Sequence, residues 1–213
     1  MKDPMTTVSE DHCRAFTKEE VNNLPLFRYE GPITLVRTED ELLAALKRIN
    51  EERLLGFDTE SKPIFRKGAI SPPALIQIAC SDIVFLIQLN CLPFNERIAS
   101  FLADPELIKT GVAIGDDIRL LNKIQPFTAA GLVDLRDIAY LKNLSTRGLR
   151  TLAANFLHMR ISKNAQCSNW GNKELSPQQI TYAATDAWVS RLVYERMSEL
   201  GFFTEDTTFR IEP

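Results

Sequence analysis

The chain has 213 residues, of which 45% are hydrophobic and 25% are charged, which is the composition of a globular protein with one sizeable core. Its net charge of −3 argues against a protein that coats nucleic acid through bulk electrostatics, because such binding needs an excess of lysine and arginine. An enzyme that holds a few nucleotides in a cleft remains compatible with this charge. No apolar run reaches the ~18 residues of a membrane span, and the polar N-terminus predicts no secretory signal.

Apolar periodicity, capping residues and turn signals predict an ordered series of helices and strands. Helices are predicted at 16–24, after Thr38, and at 94–102, 116–124, 134–141, 147–157 and 177–200, and strands at 35–36, 54–60, 74–80, 83–89, 108–114 and 132–133. Strands 74–80 and 83–89 are separated by a short turn and predict a β-hairpin. Antiparallel strands followed by strands that alternate with helices predict an α/β fold, a mixed β-sheet flanked by α-helices. We expect one domain over residues 31–213, with residues 1–30 as an N-terminal extension packed on it.

The cysteines are scattered and have no Cys-x-x-Cys spacing; they are Cys13, Cys80, Cys91 and Cys167. Only two histidines are available as further ligands, so the pattern predicts unpaired thiols rather than a zinc site. Free thiols are typical of a reducing compartment, and we expect the cytoplasm, or the nucleus of a eukaryotic cell.

Two acids, Asp58 and Glu60, end the apolar strand 54–60. Side chains on a strand alternate with a period of two, so both carboxylates lie on one face of the sheet. Their repulsion is of order 4 kcal/mol at ~4 Å and an effective dielectric of 20, and a divalent cation would offset it. The alternative is a solvated strand end with two surface acids.

Two later segments carry further acids. In the segment 111–117, a buried strand passes through a glycine into a helix that begins with Asp116 and Asp117. Acids at a helix N-terminus also complement the helix dipole, so this segment alone does not establish a site. In the last helix, Tyr182 and Asp186 are four residues apart and share one face, a pair that is also common on half-buried helix surfaces.

In this order and separation, FDTE (57–60), the segment 111–121 and YAATD (182–186) resemble the three motifs of the DEDD superfamily of 3′-5′ exonucleases. The sister branch carries a histidine five residues before the last Asp, where this chain has Thr181, so the resemblance favours the DEDDy branch. ALIQI (74–78) and CSNW (167–170) look like the Werner syndrome helicase exonuclease domain, with ribonuclease D and the DNA polymerase I proofreading domain more distant. The resemblance covers about residues 54–197 and implies an RNase H-like fold.

The resemblance implies a metal-dependent exonuclease that hydrolyses DNA or RNA from the 3′ end by a two-metal mechanism, with Mg²⁺ or Mn²⁺ as cofactor. Its catalytic residues would be Asp58, Glu60, Asp116, Tyr182 and Asp186, the four acids being the metal ligands. The family supplies one Asp at the second motif, and the Gly-Asp register of closer relatives favours Asp116 over Asp117. Tyr182 would orient the nucleophile or help to deprotonate it.

The backbone around Thr59 would meet the terminal 3′-OH. Lys62, Phe65, Arg66 and Lys67 follow the first motif on a predicted loop, and basic residues beside an aromatic suit phosphate contacts and a stacked base, although a solvated loop explains them equally well. Arg147, Lys163 and Trp170 are further candidates, with Trp170 favoured as a core residue.

Two other functions compete with this interpretation. One is a catalytically inactive nucleic-acid-binding module on the same fold; the other is a different RNase H-like enzyme, such as an endonuclease or transposase core. All five motif positions are filled, which argues against the first, and the Tyr-x-x-x-Asp pair argues against the second. The sequence does not separate DNA from RNA, and it leaves the oligomeric state open.

Overall fold

The architecture is a six-stranded mixed β-sheet with helices on both faces, as the sequence predicts. The computed structural model describes residues 14–63 and 71–203. Its strands are β1 (Ile33–Val36), β2 (Leu54–Ser61), β3 (Pro73–Ala79), β4 (Val84–Gln88), β5 (Ile108–Gly111) and β6 (Leu132–Asp134). Its helices are α1 (Lys18–Asn23), α2 (Glu39–Ile49), α3 (Glu96–Ala103), α4 (Gly115–Ile124), α5 (Leu135–Leu141), α6 (Leu149–Leu157) and α7 (Pro177–Glu199). None of these helices is both long and apolar enough to cross a membrane.

The sheet has the order β1-β4-β3-β2-β5-β6. β3 runs antiparallel to both β2 and β4, which confirms the predicted hairpin, and the remaining pairs are parallel. β2 is therefore an interior strand, paired on both edges. Its pairing with β5 covers only Leu54–Gly56, so the C-terminal end of β2 is held by hydrogen bonds with β3 alone.

Local sequence signals set several helix starts. Thr17, Thr38 and Ser176 each form a complete capping box with the Glu or Gln three residues later, and Pro177 occupies the first turn of α7. These boxes satisfy backbone N–H groups that a helix leaves unpaired at its first turn. The long helix α7 is thereby fixed at its start, only a few residues before Tyr182 and Asp186.

The core is split between the two faces of the sheet. On one face, apolar side chains of β2 and β3 such as Phe57 and Ile78 pack with residues of α2, α3 and α4. On the other face, α7 lies directly against the sheet through Ala183, Ala184 and Ala187, all fully buried. The alanines allow this close packing, so the polar side chains of α7 sit next to those of β2.

The segment before β1 is built onto this domain. Residues Pro25 and Phe27 exchange backbone hydrogen bonds with Arg160 at 3.0 and 2.9 Å. Tyr29 is buried; its N–H donates to the Thr185 hydroxyl at 3.0 Å, and its ring lies 4.6 Å from that of Trp188. Residues 14–30 are thus packed on helical elements of the domain. The division at residue 30 stays a prediction.

Candidate active site

Three of the predicted site acids meet where β2 ends against α7. Asp58 and Glu60 come from β2 and Asp186 from α7, and their carboxylate oxygens lie within 4.8 Å of one another. Gly56 makes this approach feasible, because a Cβ at that position would overlap the carbonyl oxygen of Ala187. The missing side chain lets α7 lie close enough for Asp186 to reach the acids of β2.

Burial and mutual repulsion dominate the electrostatics of this acidic cluster, defined as Asp58, Glu60 and Asp186. Burial, followed by the charges of Asp186 and Asp117, raises the pKa of Asp58 well above its ordinary value, although the Thr59 N–H donates to its Oδ1 at 2.9 Å. Burial and the neighbouring acids raise the pKa of Glu60 to about 9. Burial raises the pKa of Asp186 to about 7, while Tyr182 and Lys163 act in the opposite direction. Asp186 is buried and Asp58 and Glu60 are half-buried, and three such acids that favour protonation form a site poised to accept positive charge.

Tyr182 lies on the same face of α7 as Asp186, as its spacing predicts. Burial, together with the charge of Asp186, raises the pKa of its phenol, so the hydroxyl keeps its proton at neutral pH. The ring packs against Trp170, with centroids 5.9 Å apart. Trp170 is 1% exposed and is thus the core residue that the sequence favours. The hydroxyl is oriented towards the acids by a rigid aromatic neighbour.

At the second motif the structure separates the two neighbouring acids. Asp116, the predicted ligand, has an 85% exposed side chain that pairs with Arg119 on the surface of α4. Asp117 is half-buried instead, and its charge raises the pKa of both Asp58 and Glu60. Burial also raises the pKa of Asp117 itself. The nearby Thr59 hydroxyl partly offsets this rise, although it forms no hydrogen bond of normal geometry with a described residue. The structure therefore brings Asp117, and not Asp116, next to the acidic cluster.

A buried carboxylate fixes the loop that turns Asp117 inward. β5 ends at Gly111, three residues before the predicted end, because Ala113 adopts a left-handed conformation with φ 62°. Asp134 accepts hydrogen bonds from the N–H groups of Ala113 and Ile114 at 2.8 and 2.9 Å. A left-handed non-glycine residue costs roughly 1–2 kcal/mol, and these two bonds help to offset that strain. Asp134, which the sequence analysis did not single out, thus sets the start of α4.

Gln77 is a second residue that sequence reasoning missed. It pairs directly with Asp58 across β2 and β3, so both side chains lie on the face covered by α7. The side chain is fully buried, and neither amide atom has a hydrogen-bond partner among the described residues. A lone polar residue in the apolar strand PALIQIA was the available signal.

The acidic cluster forms one wall of a cleft of about 660 Å³. Tyr182 and Thr59 also line it. The remaining lining is apolar or neutral except for four cations, which are Lys18, Arg136, Arg150 and Lys163. A chain with net negative charge therefore presents cations in the same cleft as its acids, which suits binding of a phosphodiester.

Comparison with known proteins identifies the family. A sequence profile described as "3'-5' exonuclease" matches residues 33–201, which is most of the chain. The chain belongs to the 3′-5′ exonuclease family. Mouse "Bifunctional 3'-5' exonuclease/ATP-dependent helicase WRN" is 30% identical over 195 residues, which cover 84% of this chain and 14% of that protein. Ribonuclease D of Gluconacetobacter diazotrophicus is 26% identical over 202 residues, 87% of this chain and 50% of its own length. The chain thus spans only a part of these curated relatives.

Solved structures agree on the fold of this exonuclease-family chain. The EXO domain of Aedes aegypti Nibbler superposes with a TM-score of 0.71 at 22% identity, over 81% of this chain and 89% of that one. Trypanosoma brucei RNase D, solved in complex with RNA U12, gives a TM-score of 0.72 at 18% identity, over 84% of this chain and 65% of that one. These likenesses confirm the RNase H-like fold.

Of the predicted substrate-binding residues that the structure describes, some line the cleft and others lie outside it. Thr59 and Lys163 line the cleft. Lys62 is exposed and lies beside Gly171, outside the set of residues that line the cleft. Arg147 stacks on Tyr140, with its guanidinium 4.7 Å from the ring centroid. Phe65, Arg66 and Lys67 lie outside the described residues. Cys80, Cys91 and Cys167 are free thiols, and Cys13 also falls outside the described ranges.

Proposed function

We propose that this chain is a metal-dependent 3′-5′ exonuclease of the DEDDy type that hydrolyses the terminal phosphodiester of DNA or RNA and releases nucleoside monophosphates. One observation carries the proposal: three carboxylates from β2 and α7 converge within 4.8 Å in a cleft that also contains Tyr182. Membership of the 3′-5′ exonuclease family, which the sequence profile assigns, agrees with this chemistry.

The donor set fits hard divalent cations. Mg²⁺ and Mn²⁺ prefer carboxylate oxygens, and the acidic cluster offers three carboxyl groups. Burial and mutual repulsion raise the pKa of Asp58 and Glu60, so a bound cation would favour their ionised form. The Oδ1 atom of Asp186 is buried and has no partner among the described residues, which leaves it free to act as a ligand. Asp58, Glu60 and Asp186 would hold two ions together with Asp117, which takes the place predicted for Asp116. Bound ions would stabilise charge on the phosphoryl oxygens and on the leaving alkoxide.

The neighbouring side chains have roles that follow from their own chemistry. Because the raised pKa of Tyr182 keeps its phenol protonated, Tyr182 positions the attacking water through a hydrogen bond and does not take its proton. Lys163, which lies close enough to lower the pKa of Asp186, would contact the scissile phosphate. Thr59, at the end of β2, would lie beside the 3′-terminal nucleotide. Contacts of Lys62, Phe65, Arg66 and Lys67 with substrate stay predictions.

The test is a degradation assay with matched DNA and RNA oligonucleotides, single- and double-stranded, labelled at the 5′ end. We expect a ladder that shortens one nucleotide at a time from the 3′ end in Mg²⁺ or Mn²⁺, no products in EDTA, and a block by a 3′-phosphate. Full activity in EDTA would contradict the metal requirement, and internal cuts would favour an endonuclease.

An inactive binding module is the alternative. Oligonucleotide binding without any degradation in Mg²⁺ or Mn²⁺ would favour it. Asp58, Glu60, Tyr182 and Asp186 all line the cleft, so we expect turnover.

A further inference from the structure

The segment before β1 supplies part of the wall of the cleft. Phe16, Lys18 and Val21 line the same 660 Å³ space as the acidic cluster. The sequence analysis treats residues 1–30 as an extension of the exonuclease domain. Within residues 14–30, Phe16, Lys18 and Val21 instead reach the candidate active site, so their side chains are available to a substrate bound there.

Specific contacts hold this wall in place. Val21 of α1 is buried, and the capping box of Thr17 fixes the start of the helix. Arg150 of α6 donates from Nη2 to the Asn22 side chain at 2.6 Å, and Asn155 donates to the Arg14 carbonyl at 3.4 Å. The backbone hydrogen bonds of residues 25 and 27 with Arg160 hold the segment beyond α1. α1 and α6 therefore form one rigid side of the cleft.

The side chains on this wall suit a single polynucleotide strand. Phe16 is half-buried, and the guanidinium of Arg14 lies 4.4 Å from its ring centroid. Lys18 is exposed, and the buried Nε of Arg150 has no hydrogen-bond partner among the described residues. An aromatic ring in a cleft that also contains cations offers base stacking together with phosphate contacts, the two interactions that single-strand binding sites combine.

We infer that Phe16, Lys18 and Arg150 form a subsite for the nucleotides on the 5′ side of the scissile phosphate. The inference rests on the proposed function, which puts that phosphate at the acidic cluster and the 3′-terminal nucleotide beside Thr59. The part of the cleft lined by α1 and α6 is left for the rest of the strand. Bases and phosphates are common to DNA and RNA, so the subsite accepts single strands of either kind.

Phe16 also has a purely structural explanation, and the variants are chosen to separate the two. Phe16 and Val21 occupy the positions before the N-cap and at the fourth helical residue, where a hydrophobic staple forms. Phe16→Leu keeps an apolar staple but removes the ring, whereas Phe16→Trp keeps both. Lys18→Gln removes one cleft cation, and Lys47→Gln, on the exposed surface of α2, is the matched control.

The experiment measures the affinity of fluorescent single-stranded oligonucleotides in Mg²⁺, with Asp58→Asn as the background in every variant to prevent turnover. Phe16→Leu should raise the Kd of an octanucleotide, DNA or RNA, by roughly 5- to 100-fold, as expected for the loss of one stacked base, and Phe16→Trp should not. The increase for a dinucleotide should be much smaller, because that ligand ends before the subsite. Lys18→Gln should lower the slope of log Kd against log salt by about 0.7, and Lys47→Gln should not.

A change below twofold for Phe16→Leu on the octanucleotide would overturn the inference. So would an equal change on the dinucleotide, or a salt slope of Lys18→Gln that matches that of Lys47→Gln. Thermal unfolding of each variant checks that the fold is retained. The two proposals fail separately: degradation with no effect of Phe16→Leu removes only the subsite, and length-dependent binding without degradation removes only the catalytic activity.

Discussion

The acidic cluster should lower the stability of the metal-free protein, and Asp58→Asn tests this directly. The substitution removes a charge but keeps the shape of the side chain and an oxygen that can accept the Thr59 N–H. The carboxylate oxygens lie within 4.8 Å of one another, and two unit charges at that distance repel by about 3.5 kcal/mol at an effective dielectric of 20. Proton uptake relieves part of this repulsion, because the pKa of Glu60 is raised to about 9 and that of Asp186 to about 7. We expect Asp58→Asn to stabilise the metal-free protein by roughly 1–3 kcal/mol, or about 2–12 °C in Tm.

The assay is thermal unfolding in EDTA and in Mg²⁺, with Asp116→Asn as the matched control. Asp116 is exposed and its pair with Arg119 is a surface ion pair, so the control should change the free energy of unfolding by no more than about 1 kcal/mol. Mg²⁺ should raise the Tm of the wild type and of Asp116→Asn, and much less that of Asp58→Asn. A lower Tm for Asp58→Asn in EDTA, or an equal rise of all three proteins in Mg²⁺, would refute the reasoning.

Three further predictions concern single positions. Asp117→Asn should lower kcat by at least roughly 10²-fold and Asp116→Asn by less than about twofold in the ladder assay; the reverse order would restore Asp116 as the ligand. Tyr182→Phe should cut kcat by roughly 10²–10⁴-fold at unchanged Tm, and a wild-type kcat would leave the ring as a packing residue. Burial lowers the pKa of Lys109 from 10.5 to about 8. Between these two pH values the unfolded chain binds more protons than the folded one, so the free energy of unfolding of the wild type should rise by up to about 3 kcal/mol from pH 8 to 10.5. Lys109→Met should not show this rise, and it should be more stable than the wild type at pH 7. Urea unfolding at pH 7, 8.5 and 10 measures the free energy of unfolding of both proteins, and an equal pH dependence would contradict the prediction.

Elements with short-range signals could be predicted from the sequence. Thr17, Thr38 and Ser176 start helices through residues three positions away, so the whole signal lies within one turn. The hairpin of β3 and β4 is likewise local, since two apolar runs flank a short turn. The position of Asp58 and Glu60 on one face of β2 follows from the strand period alone, and that of Tyr182 and Asp186 on one face of α7 follows from the helix period.

The second motif shows where such reasoning stops. Consecutive residues at the start of a helix point about 100° apart, so the choice between Asp116 and Asp117 depends on how α4 leaves the sheet. That direction is set by the left-handed Ala113, which Asp134 holds from a distance of about 20 residues along the chain. The Gly-Asp register contains no information on this contact, and the apolar run 108–114 favoured a longer strand than β5. The sequence therefore predicted the motif but not the acid that faces the site.

The same long-range dependence explains how a chain with net charge −3 can present a nucleic-acid site. The cations of the cleft come from α1, α5, α6 and the loop after α6, and no stretch of sequence clusters them. The acids come from β2 and α7, which meet only because Gly56 and the buried alanines of α7 allow close packing. The presence of acids and cations in one cleft is thus a property of the folded domain, and the overall composition does not predict it. Because Phe16, Lys18 and Val21 line the cleft, removal of residues 1–30 as a dispensable extension would remove part of one side of the site.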